Sequence, residues 1–504
     1  MRNLKILLLL FLLSANAVNL WSDERPNVLF IAIDDLNDWA GPFGGNPQCK
    51  TPNMDRFAEE GATVFMNNHC AGPVCGPSRS ALLSGFAPYN TGLYSNSDNM
   101  LDSEIVQTHA TLPEYFNKHG YATASSGKIF HAHRSANGFD RGQWAFENWI
   151  QTGGGWGVDQ DTLYSRRKGI LNGVVQENPK YADPHGSEFA WASTTRPTEE
   201  TGDYMTAQWA AGQLQKKWDR PFFLAVGIFR PHLPWYAPQE FYDMYDLDTI
   251  ELPEVKDDDL DDIVDANGKP AFKPSSDYLW CRQDDSIFKA AVRAYMASTS
   301  YADYCLGVIL DALKDSPHYD NTIVFIWGDH GWHLGEKLRF RKATIFSEAT
   351  RAPLMVRLPG MNKVQRVYSP TNLLDMYPTL VELCGLPEKE LDGTSFANLL
   401  KDPSSKGNKV TLTTRGVGSV SVRDEHWRYA RYRDGAEELY NLKEDPMEWT
   451  NLVNSNRSAA KRAKKKLAKH FPKSFAEPIE SKNYPRVAGP DLTLKAKRDL
   501  AALK

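Results

Sequence analysis

No apolar run in this 504-residue chain is long enough to cross a bilayer. Cysteine is scarce. The six present, Cys49, Cys70, Cys75, Cys281, Cys305 and Cys384, show neither zinc-finger spacing nor the density of a disulfide scaffold. An excess of one charge sign is also lacking: the net charge is −5, so bulk electrostatics points to neither nucleic acid nor a membrane as partner. There is no internal repeat and no long low-complexity tract. The apolar and charged fractions, 41% and 24%, are those of an ordinary globular protein, and the length allows one large domain plus a smaller one.

What is present begins with a leader. Arg2 and Lys5 precede an almost wholly apolar stretch over residues 6–13, and Ala15-Asn16-Ala17 fits a small-x-small cleavage site. Residues 1–17 therefore read as a secretory signal peptide, which predicts a periplasmic or secreted mature protein. No cysteine lies beside the cleavage point, so no lipid anchor is expected there and no stable membrane anchor elsewhere.

Four apolar runs then share one design. Residues 27–33 end in Asp34-Asp35, and residues 121–126 in Gly127-Lys128-Ile129-Phe130-His131. Residues 222–229 end in Arg230-Pro231-His232-Leu233-Pro234, and residues 322–327 in Gly328-Asp329-His330-Gly331. Continuous apolar runs of this length read as strands buried on both faces. Open α/β sheets place ligands at the carboxyl ends of such strands. Four strands that all end in acid, base or ligand side chains point to chemistry rather than packing. Helical periodicity lies between them at residues 51–60, 112–119, 201–218 and 286–313. The alternation predicts an α/β sandwich with a mostly parallel central sheet.

Two segments break the pattern. Residues 139–201 are rich in Gly, Trp, Asn and Asp with little periodicity, and read as an insertion covering the mouth of a site. Residues 243–285 carry the acidic run 257–262, which reads as a solvated loop. From about residue 410 the texture becomes short strands, at 410–415, 420–423, 427–433 and 437–442, before a basic helix at 458–470 with a solvated cationic face. This predicts a catalytic domain over residues 18–405 and a small C-terminal α+β subdomain and tail, with an antiparallel sheet, over 406–504.

The chain is organised around Cys75-Gly76-Pro77-Ser78-Arg79, which runs into Ser80-Ala81-Leu82-Leu83-Ser84-Gly85. A proline suits a first helical turn, and Gly85 reads as the helix end. A cysteine at a helix N-terminus sits in positive potential, which favours an anion or a nucleophile. The acids Asp34, Asp35 and Asp329 are hard oxygen ligands suited to calcium or magnesium; His330 beside them is less usual for calcium.

Cys-x-Pro-Ser-Arg followed by Leu-Leu-Ser-Gly resembles the signature of the formylglycine-dependent (type I) sulfatases. The motifs around Lys128, His232 and Asp329, with Leu334-Gly335-Glu336 and Lys342 beyond, are similar to those of the iduronate-2-sulfatase-like and bacterial polysaccharide sulfatases. So are Glu438-Leu439-Tyr440 and Asp445-Pro446-Met447-Glu448-Trp449. The resemblance implies an alkaline-phosphatase-like fold and an enzyme that hydrolyses a sulfate ester on a carbohydrate. It implies that a formylglycine-generating (sulfatase-modifying) enzyme reads Pro77 and Arg79 and oxidises Cys75 to formylglycine (3-oxoalanine), whose hydrate is the nucleophile. Arg79 would then hold the hydrate. It implies Ca2+ held by Asp34, Asp35, Cys75, Asp329 and His330. It gives Lys128 and Lys342 to the sulfate, makes His131 the base and His232 the acid for the departing sugar oxygen.

Iduronate-2-sulfate-type and ulvan-type glycans are the candidate substrates. A pocket walled by residues 139–201 would make the enzyme exo-acting; Trp144, Trp149, Trp156 and Tyr164 there either stack on the terminal sugar or pack as core, the commoner fate of Trp in an irregular segment. The rivals are a phosphatase or phosphodiesterase of the same fold, against which the single acid-rich metal set argues, and a catalytically inactive glycan-binding relative.

Overall fold

A computed structural model describes residues 25–131, 133–135, 138–140, 142–150, 152, 189–194 and 196–480. The leader reading at residues 1–17 lies outside them, as do Trp156 and Tyr164.

The central sheet has eight strands. In chain order they are β1 (Asn27–Ile33), β2 (Thr63–Phe65), β3 (Ala122–Gly127), β4 (Asn148–Ile150), β5 (Phe222–Ile228), β6 (Thr322–Gly328), β7 (Leu354–Arg357) and β8 (Gln365–Val367). Their spatial order is β8-β2-β7-β6-β1-β5-β3-β4. All neighbouring pairs are parallel except β6 with β7 and β7 with β2, so the sheet is mostly parallel, as expected.

Every residue of β1 is buried, and its side chains alternate between two cores because successive residues of a strand face opposite ways. Leu29, Ile31 and Ile33 join a core with Met54, Phe57, Ala207, Ala210 and Ile309. Those residues come from α1 (Pro52–Glu59), α4 (Gly202–Leu214) and α5 (Asp285–Lys314), while α2 (Cys75–Ser84) and α3 (Leu112–Lys118) serve the other face. There Val28, Phe30 and Ala32 join Leu82, Leu83, Phe116, Met376 and Leu380, the last two from α6 (Met376–Leu383). Burying each large apolar side chain contributes about 1.5–3 kcal/mol, so a sheet covered on both faces is the stable arrangement for such runs.

A second, antiparallel sheet follows: β9 (Thr411–Thr414), β10 (Val420–Arg423), β11 (Trp427–Arg431) and β12 (Glu437–Asn441), paired in that order. Helix α7 (Ser458–Leu467) covers one face, with Ala460, Ala463 and Leu467 against Val422, Tyr429 and Leu439. The basic face of α7 is not wholly solvated: Lys464 pairs with Glu437 at 2.6 Å and Lys466 with Asp424 at 2.6 Å. From the other face Arg428 reaches back into the main body, where Nη1 donates to Ile345 O at 3.2 Å.

The register decides where chemistry can sit. Ile33 lies beside both Gly328 and Ile228, and Gly127 lies beside Gly227. Four strands therefore end level, and the residues just past them meet at one edge. The β3–β5 approach needs glycine: a Cβ at Gly127, φ +75°, would lie 2.0 Å from Gly227 O.

Candidate active site

Asp34 and Asp35 continue β1 and are both fully buried. The chain turns at once, with Asp35 in the left-handed region at φ 62°. Tyr295, from the middle of α5, holds that turn: its hydroxyl donates to Asp35 O at 2.9 Å and accepts from Asn37 N at 2.8 Å. The Asp35 amide donates to Asp329 Oδ1 at 3.1 Å, tying the ends of β1 and β6 together.

Cys75 opens helix α2, and Gly85 ends it in the left-handed conformation, as the sequence predicts. The Gly76 amide is satisfied by Asn96 Oδ1 at 2.7 Å. Cys75 Sγ lies 3.3 Å from His330 Nε2, 3.7 Å from Asp35 Oδ1 and 2.9 Å from Lys342 Nζ. Burial pushes its thiol up, and Lys128 and Lys342 do not offset that. A thiol kept protonated is a poor nucleophile despite its helix position.

Arg79, one helical turn on, is fully buried. It donates from Nη2 to Asp34 Oδ1 at 2.9 Å, from Nε to Asp329 Oδ2 at 2.8 Å and from Nη1 to the carbonyls of Lys128 and Ile129 at 2.6 and 2.9 Å. Arg79 thereby orients the two carboxylates. Lys128 Nζ donates to Asp34 Oδ2, and Lys342 Nζ to Asp35 Oδ1. Burial works to raise Asp34, but Lys128 and Arg79 outweigh it and hold the carboxyl below its usual range. Asp35 goes the other way: burial raises it against the single close ammonium of Lys342.

The histidines arrive neutral. His330 Nδ1 faces Gly331 O at 2.9 Å and so carries the proton, which leaves the Nε2 lone pair towards Asp35 Oδ1 at 3.3 Å. His232 is arranged alike, with Nδ1 on Leu233 O at 2.5 Å and Nε2 3.8 Å from Asp35 Oδ2. Burial first, then Lys342 and Lys128, push His232 well down. His131, half-buried at the edge, is lowered to about 3 by desolvation and by Lys128.

Cys75, Arg79, Lys128, His131, His232 and Lys342 thus lie beside Asp34, Asp35, Asp329 and His330, and the three carboxylates suit a hard cation. Among the described residues, ligand-type atoms fall into two overlapping groups, Asp34, Asp35, Cys75 and His232, and Asp35, Cys75, Asp329 and His330, each within 4.8 Å. Asp35 Oδ2 is buried with no hydrogen-bond donor, an expensive orphan that a cation would satisfy.

Other expectations change. The acidic run is not simply solvated: Asp259 is buried and accepts from Lys337 Nζ at 2.8 Å, and Asp262 accepts from Asn451 N at 2.7 Å. Trp144 packs on Phe130 at 5.2 Å, and both Trp144 and Trp149 lie half-buried against the core. Sequence reasoning missed Asp203, at the start of α4, whose carboxylate accepts the Phe229 and Arg230 amides at 2.8 and 2.9 Å and fixes the His232 turn. It missed Tyr295 too. Neither carries a local signal, since each acts across a long stretch of chain.

The family model described as Sulfatase matches residues 26–386, and one described as N-sulphoglucosamine sulphohydrolase, C-terminal, matches residues 328–474. A sulfatase of Formosa agariphila is 35% identical over 86% of this chain and 84% of its own. The iduronate 2-sulfatase of Mus musculus is 30% identical over 72% and 69%. In fold, the chain is similar to a phosphonate monoester hydrolase from Silicibacter pomeroyi, with a TM-score of 0.70 at 19% identity, covering 88% of this chain and 95% of that one. The family match runs through all four strand ends and the Cys75 helix, and the chain belongs to the sulfatase family, hydrolases of sulfuric esters.

Proposed function

We propose that the chain hydrolyses a sulfate ester on a carbohydrate after Cys75 is oxidised to formylglycine by a sulfatase-modifying enzyme, with calcium held by Asp34, Asp35, Asp329, His330 and position 75. The observation that carries the reading is the setting of Cys75. It sits at a buried helix start among three carboxylates and beside Lys342, with its thiol held protonated. Oxidised to the aldehyde and hydrated, position 75 supplies an oxygen nucleophile that the buried thiol does not. Calcium there would supply positive charge to a sulfate oxygen.

The chain's own residues do the rest. Lys128 and Lys342 bring two ammonium groups to the anion, where charge builds in the transition state. Neutral His131 can accept the nucleophile's proton. His232 is held neutral by burial and by the same lysines; a bound sulfate screens those lysines and lets Nε2 take up a proton from water, which it then gives to the departing sugar oxygen. His232→Ala should cost about two to four orders of magnitude on a sugar sulfate. The loss should shrink on an aryl sulfate, whose phenolate leaves without a proton, and equal losses on both would count against the role.

The substrate reading is an exo-acting enzyme on an iduronate-2-sulfate-type or ulvan-type glycan. The likeness to the mouse iduronate 2-sulfatase supports a sulfated sugar, and the depth of the reacting group supports a chain end, because Cys75 is fully buried. The test is a panel of defined sulfated oligosaccharides and the parent polymers, with a phosphonate ester as control. Sulfate released from the terminal unit alone is the expected result. Uniform release along the polymer overturns exo action, and turnover of only the phosphonate overturns the sulfatase reading. A catalytic body over residues 18–405, a C-terminal unit over 406–504 and a periplasmic or secreted location belong to the same proposal. Among the described residues no helix is long and apolar enough to cross a membrane.

A further inference from the structure

Lys342 is delivered by a loop that would not hold its shape alone. Lys337, Leu338, Arg341 and Ala343 have φ of 55°, 53°, 73° and 68°, and none is glycine. Each such residue costs conformational free energy and persists only where the surroundings over-determine it. Residues 335–347 therefore need a frame.

The frame comes from the C-terminal part of the chain. We infer that Glu448 is a positioning residue for Lys342, clamping the loop on both sides of it. On the near side, Lys337 is buried, and its Nζ donates to Glu448 O and to Asp259 Oδ1, the latter at 2.8 Å. On the far side, the Glu448 carboxylate accepts from the Ser347 hydroxyl and from Ser347 N at 3.4 Å. Arg428 locks that carboxylate, with Nε 2.8 Å from Glu448 Oε1, while its Nη1 holds Ile345 O at 3.2 Å. Arg423 Nη1 adds a bond to Ser347 Oγ at 2.6 Å.

Between the two clamps the loop is pinned to the site itself: Ala343 N donates to Pro73 O at 3.0 Å, two residues before Cys75. Arg341 Nε is held by Asp277 at 2.5 Å. Glu448 is itself left-handed at φ 58° and fully buried, so its backbone oxygen and its carboxylate can face opposite ends of one loop. Asp445-Pro446-Met447-Glu448 builds that turn, with the Glu448 amide on Asp445 O at 3.2 Å. The motif far along the chain thus has a physical task at the reaction centre, and so does the buried acid of the 257–262 run.

The inference rests on the reading of Lys342 as a sulfate-binding cation. Its test is a double-mutant cycle on the affinity of the calcium-loaded, oxidised enzyme for inorganic sulfate, measured by calorimetry. Lys342→Ala should weaken sulfate binding. Glu448→Gln should weaken it by about tenfold in the native background and by less than about twofold in the Lys342→Ala background, because coupled residues are not additive. Equal losses in both backgrounds overturn the inference while leaving the role of Lys342 intact. If Lys342→Ala alone changes nothing, the reading of Lys342 falls and this inference with it. Should Glu448→Gln fail to fold, Asp259→Asn loosens only the near clamp and takes its place in the same cycle, with the same pattern expected on a smaller scale.

Discussion

Cys75→Ala is expected to abolish sulfate release, with a loss of about six orders of magnitude, the scale seen when an attacking group is removed from an enzyme that uses one. Nothing nearby can replace it. Among the described residues the other five cysteines are free and buried, and Cys75 is the one in the acid cluster. The protein should still fold, because the helix start is fixed by the Gly76 amide on Asn96 Oδ1 and by the Ser78 hydroxyl on Asp329 O, neither of which uses the thiol. Cys75→Ser should fold equally well and remain a poor enzyme, since it cannot yield the same aldehyde through thiol oxidation. Mass spectrometry of the Cys75 peptide from the native host separates the two candidate nucleophiles. An aldehyde in place of the thiol is expected. A wholly unmodified thiol in a fully active preparation would sink the assignment.

The strands that carry the site were legible because burial on both faces leaves nothing but apolar side chains between the turn and the reactive end. Residues 27–33 fall as read, and 222–228 and 322–328 each within one residue. Short strands at the far edge were not legible. Thr63–Phe65 and Gln365–Val367 are three residues each, too short for a period to show, and are defined only by their neighbours. Helix α4 stops at Leu214 although its apolar spacing runs on to Trp218, because the Trp218 indole folds back to donate to Gln213 O at 3.1 Å.

Within the site, residue types were readable and partners were not. Arg79 lies in a recognisable motif, yet its four hydrogen bonds go to Asp34, Asp329, Lys128 and Ile129, all made adjacent by strand order. In sequence Asp259 is one acid among several; the group that sets it apart, Lys337, lies 78 residues away. Local sequence records which face of an element is buried; it does not record which distant group completes a charge pair.

Asp35 tests the metal most sharply, because both oxygens of the other two carboxylates have donors in the protein and one of its own does not. Asp34 has Arg79 and Lys128, and Asp329 has Arg79. Asp35 has the Lys342 ammonium on one oxygen, and its other oxygen is buried with no donor. It is the acid whose unpartnered oxygen most needs a cation, and Asp35→Ala should remove the cation with least harm to the fold. Elemental analysis should fall from about one calcium per chain to almost none, and turnover should drop by three orders of magnitude or more, given that a bound cation contributes several kcal/mol of transition-state stabilisation. Lys342 loses its closest counter-charge in the variant, so its ammonium should swing towards any remaining anion and inorganic sulfate should still bind weakly. The Tyr295 hydroxyl bridge uses the Asp35 backbone carbonyl and survives the substitution, which keeps the end of β1 in place. Full calcium occupancy in Asp35→Ala would show that the cation sits elsewhere. Two zinc ions in the native protein, with no calcium, would turn the chemistry towards that of a phosphatase built on the same sheet.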